Sequence, residues 1–219
     1  LKDISLQEEY DSLSGDDIHR DFFNRILSES HYYYRVGGEF TSKNFAMCAE
    51  GMQKFIENDG EMNLILTPSF SEDDAKAILD GIKNPEEIIS ENWISSYDQI
   101  SEKFYQNHTK ALAWLLAIDK LHIKIILVYD KNGNLLNSSD ISKISIFQRK
   151  TGIFIDNSNN VVSFSGNIDF GHETFGRYYH FRVYKNWGDD IEKKLVLKDW
   201  KEFQNFWNGE KLSDQSELK

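Results

Sequence analysis

Residues 146–169 read IFQRKTGIFIDNSNNVVSFSGNID, and the fold turns on this stretch. Two short runs, 151–155 (TGIFI) and 161–164 (VVSF), are dominated by β-branched and aromatic side chains. Between them stands Asp156-Asn157-Ser158-Asn159-Asn160, whose side chains favour turns and tolerate left-handed backbone. The pattern predicts a β-hairpin. Gln148-Arg149-Lys150 precedes it and Ser165-Gly166-Asn167-Ile168-Asp169 follows. Pairing the strands therefore carries a basic group and a small polar loop to the same end.

Working outward toward the N-terminus, residues 1–15 are polar and irregular and predict a loose lead-in. Asp16 or Asp17 is placed to cap a helix with Ile18, Phe22, Phe23, Ile26 and Leu27 at helical spacing. Tyr32-Tyr33-Tyr34-Arg35-Val36 predicts a strand stopped by Gly37-Gly38. A helix is expected from Thr41 or Ser42, with Phe45, Cys48, Ala49, Met52, Phe55 and Ile56 on one face, ending near Gly60. A buried strand over 62–66 and a helix capped by Ser71 with Asp74, ending at Gly81, follow. Strand–helix–strand–helix at this spacing predicts an α/β unit with a parallel sheet.

Asn84-Pro85 starts a further helix, and a helical pattern with possible breaks runs through Trp93, Phe104, Leu112 and Ile118. Residues 121–129 predict a strand and Lys131-Asn132-Gly133-Asn134 a turn. Beyond the hairpin, residues 178–184 alternate like a strand, and a closing helix is expected over 198–207, anchored by Trp200, Phe203, Phe206 and Trp207. One domain over 16–208 with a polar tail over 209–219 accounts for the chain.

A length of 219 residues accommodates one sizeable core and leaves little room for a second. Hydrophobic content of 40% with two prolines fits a folded globule. No apolar run approaches the roughly 20 residues that span a bilayer. Leu1 stands where an initiator Met would, with no basic-then-apolar leader, so the chain reads as trimmed or excised. A single Cys, Cys48, excludes an intramolecular disulfide and fits a reducing, cytoplasmic setting. The net charge of −11 opposes nonspecific nucleic-acid binding, which requires Lys and Arg to neutralise phosphates. Arg149, Lys150, Arg177, Arg182 and Lys185 leave room for a local basic cleft; a scatter of solvated charges is the plainer alternative.

The central stretch resembles the signature of the phospholipase D superfamily, the HKD phosphodiesterases and nucleases. The likeness is to the single-motif type found beside helicases and in restriction and defence proteins. Lys150, Gly152-Ile153-Phe154, Asp156 and Phe164-Ser165-Gly166 match its wording. Residues 27–68 (LSESHYYYRVGGEFTSKNFAMCAEGMQKFIENDGEMNLILTP) resemble the opening of such domains, so the likeness extends over roughly 17–208. It implies a mixed, largely parallel sheet flanked by helices, with a C-terminal hairpin carrying the signature. Four positions depart. Gln148 stands where the nucleophilic His belongs, Asn167 for Ser, Asp169 for Asn, and His180 for a Glu that orients the catalytic His.

In that chemistry a His attacks phosphorus, a second His protonates the leaving oxygen, and Lys and Asn-type groups hold the nonbridging oxygens. No metal or other cofactor is implied, and single-motif chains pair so that two motifs face each other. The resemblance thus assigns Gln148, Lys150, Asp156, Asp169 and His180 to the catalytic positions and Lys150, Ser165, Gly166 and Asn167 to phosphate. A Gln amide has no usable nucleophilic lone pair and does not shuttle protons near neutral pH. The expected function is therefore a silent domain acting by contact, as a homodimer or with a partner protein. Two alternatives stay open: an active metal-independent phosphodiesterase using His172 or His180, and a His-to-Gln inactivated variant. His122-x-Lys124 with Asp130 is a second His-x-Lys, without the polar loop, and reads as an ordinary strand.

Overall fold

A computed structural model describes residues 1–38, 40–67, 69–127, 129, 132–134, 150–168 and 179–209. Seven strands form one mixed sheet: β1 (Glu9–Asp11), β2 (Tyr32–Val36), β3 (Glu61–Leu66), β4 (Leu121–Ile125), β5 (Lys150–Ile155), β6 (Val161–Asn167) and β7 (His180–Lys185). Their order is β1-β7-β6-β5-β2-β3-β4. Among the described strands only the β2–β3 and β3–β4 pairings are parallel; the other four are antiparallel. The expected largely parallel sheet is thus corrected. Helical crossovers impose parallel pairing on β2, β3 and β4, whereas a five-residue turn between β5 and β6 permits only an antiparallel hairpin.

The first helical segment forms as its caps and spacing dictate. Asp17 accepts from the backbone N–H groups of His19 and Arg20 at 3.1 Å, opening a π-helical turn Ile18–Phe23 that runs into α1 (Asn24–Ser28). Ile18, Phe22, Phe23, Ile26 and Leu27 are all buried. The single helix expected from Ser42 to Gly60 is split into α2 (Lys43–Met47) and α3 (Ala49–Glu57). Asn24 explains the break. Its Oδ1 accepts from Gly51 N–H at 2.8 Å and its Nδ2 donates to the Met47 carbonyl at 3.3 Å. The side chain thus replaces the rung that would join residues 51 and 47, as inserted groups do at helix kinks.

Ser71 caps α4 (Glu72–Lys83) through Asp74 N–H at 3.1 Å, as expected. The helix passes through Gly81 because that glycine is a crossing point: a Cβ there would lie 2.7 Å from the Ala113 carbonyl oxygen. Pro85 opens α5 (Pro85–Ser90), and Asn107 separates α6 (Ile100–Gln106) from α7 (His108–Ala117). The last helix, α8 (Asp190–Trp207), begins eight residues before the expected 198. A reciprocal capping box of Asp189 and Glu192 starts it, a signal that its charged first turns conceal from a periodicity reading. Ser42 donates to the Asp74 carboxylate and meets His108 Nδ1 at 2.7 Å, joining the N-terminal ends of α2, α4 and α7.

The sheet has two unequal faces. Tyr33, Leu64, Phe154, Phe164 and Phe181 join Phe22, Phe23, Phe45 and Phe55 in the main core. Val36, Ile65 and Ile153 pack under Phe203 of α8, with Trp200, Phe206 and Trp207 around it. Residues 1–15 are not loose. Leu1, Leu6 and Tyr10 are buried, and β1 pairs Tyr10 with Phe181 and Asp11 with His180. The alternation there is too short to announce a strand; a partner strand from the far end of the chain creates it. Among the described residues no helix is long and apolar enough to cross a membrane.

Candidate functional site

The hairpin lands as its sequence requires. In the 156–160 turn, Asp156 accepts from the N–H groups of Ser158 and Asn160, both at 2.9 Å, and Asn159 takes φ 59°. The register opposes Lys150 to Gly166, Gly166 to Phe181 and Asn167 to His180. The start of β5, the end of β6 and the start of β7 therefore meet at one open end of the sheet. There Lys150 Nζ donates to Asn167 Oδ1 at 3.4 Å. Ser165 lies one step inward, paired with Thr151 and Arg182.

His180 brings an imidazole to this row. Its Nε2 is 3.5 Å from Glu9 Oε2, and Arg182 Nε is 3.5 Å from the same oxygen. Glu9 was invisible as a site residue because β1 exists only through its pairing with β7. Arg35, on β2, sends Nη2 to the Ile168 carbonyl at 2.7 Å, immediately beyond Asn167.

Asp156 does not belong to this group. Lys150 and Asp156 bracket a six-residue strand, so about 20 Å of extended chain separates them. Its carboxylate is a turn anchor. Burial raises its pKa, but hydrogen bonds from the Leu1 amino group at 2.7 Å, the Asn160 side chain and the N–H groups of Asn160 and Ser158 outweigh this and hold it at about 2. Because the folded value is depressed, the stabilisation is complete above the unfolded value of about 4 and disappears as pH falls through about 2. Asp156→Asn should therefore melt about 2–4 °C below the parent at pH 7, with the gap closing between pH 4 and pH 2 in thermal scans.

Gln148, Asp169 and His172, with Arg149 and Arg177, lie outside the described residues. The described basic residues do not line one cleft: Lys185 is at the opposite end of β7 from His180, and Arg182 faces Glu9. His122 and Lys124 are strand residues as expected, His122 beside Glu61 and Lys124 donating to the Trp207 carbonyl at 2.6 Å. The Cys48 thiol is buried and its pKa pushed up, first by desolvation, which removes it as a thiolate nucleophile. Among the described residues no three His, Cys, Asp or Glu side chains converge to hold a metal ion.

Two glycines of the signature have packing reasons. The Phe164 ring fills the space a Cβ on Gly152 would need. A Cβ on Gly166 would meet the His180 carbonyl oxygen and lie 2.6 Å from Phe181 Cα. Chemically, the sheet end offers the Lys150 ammonium at the Asn167 amide, with the Ser165 hydroxyl and the His180 imidazole at neighbouring register positions. These groups can hold an oxyanion, and at this sheet end His180 has the Glu9 carboxylate beside it.

Fold and site together define a mixed α/β protein with a polar sheet end built by its C-terminal strands. No known family model matches the chain, and no curated protein is similar to it.

Proposed function

We propose that the chain is a phospholipase D-like domain that has lost the attacking half of its centre and kept the half that holds a phosphate. It acts by contact, as a homodimer or with a partner protein, in a prokaryotic nucleic-acid-processing or defence assembly. The observation that carries this reading is the Lys150–Asn167 contact at 3.4 Å, made on neighbouring strands at one sheet end, in a chain whose residue 148 is an amide. On this reading Lys150, Ser165, Gly166 and Asn167 bind the anion, and the net charge of −11 favours a basic protein partner.

A second reading rests on the Glu9–His180 pair. A carboxylate that orients an imidazole is the ordinary means of activating a histidine, and His180 pairs with Asn167 in the register. A metal-free assay with bis(p-nitrophenyl) phosphate and single-stranded DNA separates the two. The contact reading expects no turnover from the parent chain and a dimer or a captured basic partner by sedimentation. Turnover by the parent that drops at least 100-fold in His180→Ala would instead establish the enzyme. Turnover only in Gln148→His would identify an inactivated enzyme.

A further inference from the structure

Among the described residues Arg35 is the bulkiest fully buried side chain, with 0% of its surface exposed. It lies on β2 directly opposite Gly152, and its guanidinium carbon is 5.8 Å from the centroid of the Phe164 ring. Nε donates to the Gly37 carbonyl at 3.2 Å, Nη1 to Tyr33 Oη at 3.3 Å and Nη2 to the Ile168 carbonyl at 2.7 Å. The side chain therefore reaches from the exit of β2, across β5, to the exit of β6. Phe164, whose ring takes the space a Cβ on Gly152 would need, forms the floor of this crossing.

Burying a guanidinium is costly, and an apolar side chain of similar size would fill the space without that cost. What an apolar chain cannot do is join two carbonyls on separate strands through one rigid planar fork. Both carbonyls border the candidate site. Ile168 follows Asn167, and Gly37 comes one residue after Val36, which pairs with Thr151, so it stands alongside Lys150.

We infer that Arg35 is a positioning residue of the Lys150–Asn167 site, tying the exits of β2 and β6 together so that Asn167 stays at the ammonium that would meet an oxyanion of the phosphate class. The inference rests on the phosphate-holding reading of that site. It does not touch the anion, because it has no exposed surface.

The test uses the full chain and inorganic phosphate, followed by the Asn167 side-chain and backbone amide signals in nitrogen–proton NMR spectra. Phosphate is expected to shift the Asn167 amide in the parent and to lose affinity at least tenfold in Lys150→Gln. Arg35→Lys keeps the charge but loses the fork; it should weaken phosphate about fivefold or more and speed hydrogen exchange at Asn167 and Ile168. Tyr33→Phe removes one acceptor only and provides a milder arm, expected at about twofold, should Arg35→Lys fail to fold. Unchanged phosphate affinity and unchanged exchange at Asn167 in a folded Arg35 variant, or in Tyr33→Phe if no Arg35 variant folds, would overturn the role. If the parent shows no Lys150-dependent phosphate response, the phosphate reading fails by itself; the anchoring role is then decided by exchange at Asn167 alone.

Discussion

Phe22→Ala is expected to cost about 3–5 kcal/mol, measured by urea unfolding. Its ring is fully buried and stands 5.0 Å from Phe181, 5.1 Å from Tyr10, 5.5 Å from Phe164 and 6.0 Å from Phe154, centroid to centroid. One helical side chain thus closes four strands, β1, β7, β6 and β5, beneath the helical layer. Truncation leaves a cavity bounded by rings that cannot collapse without moving strands. The loss is a large share of the roughly 5–15 kcal/mol that holds a domain folded. β1 has three residue pairs to β7 and should suffer first, so limited proteolysis within residues 1–15 is expected to accelerate alongside the global loss. Leu13→Ala, at a side chain 83% exposed, serves as the control and should change stability by less than about 0.5 kcal/mol. A Phe22→Ala cost under about 1 kcal/mol would contradict this account of the core.

The second large effect is expected from Gly166→Ala. The added methyl would meet backbone atoms of His180 and Phe181, which cannot rotate away as a side-chain end can. Glycine inside a strand marks such an approach of one backbone to another. Overpacking of this kind costs about 1–3 kcal/mol, so the melting temperature should fall by roughly 2–12 °C. The displacement falls between β6 and β7, where Asn167 opposes His180, so the site should open as stability falls. The expected signature is a lower melting temperature without any ligand, together with changed chemical shifts for Asn167 and His180. If Gly166 served only to let a phosphate approach the chain, the ligand-free protein would melt at its parental temperature.

Several features were legible in the residues because they rest on local chemistry. The 151–164 hairpin follows from two β-prone runs around an Asp/Asn turn, and Asp156 and Asn159 close it as those side chains allow. The Asp17 and Ser71 caps, the proline opening of α5 and the buried face of the first helix have the same local origin. The meeting of Lys150 with Asn167 was legible too, since pairing the two runs brings their flanks together. The catalytic position that the resemblance gives Asp156 does not fit the length of β5, which sets Asp156 at the turn, away from Lys150. The missed start of α8 also had a local signal, the Asp189–Glu192 capping box.

What the residues could not reveal is what arises between segments far apart in the chain. β1 is a strand only because β7 supplies its partner, and Glu9 reaches His180 only through that pairing. Asn24 splits one expected helix into two by occupying a rung of a different segment. Arg35 looks like one more charge in an aromatic strand until packing encloses it and turns its fork toward Ile168. The sequence by itself determined the hairpin and the caps, because each depends on neighbouring residues alone. Only the tertiary structure decided the antiparallel majority of the sheet, the carboxylate beside His180 and the buried cation under the site. Those depend on which distant strand lies alongside, and such pairings are settled by the burial of whole faces rather than by the preferences of any single stretch.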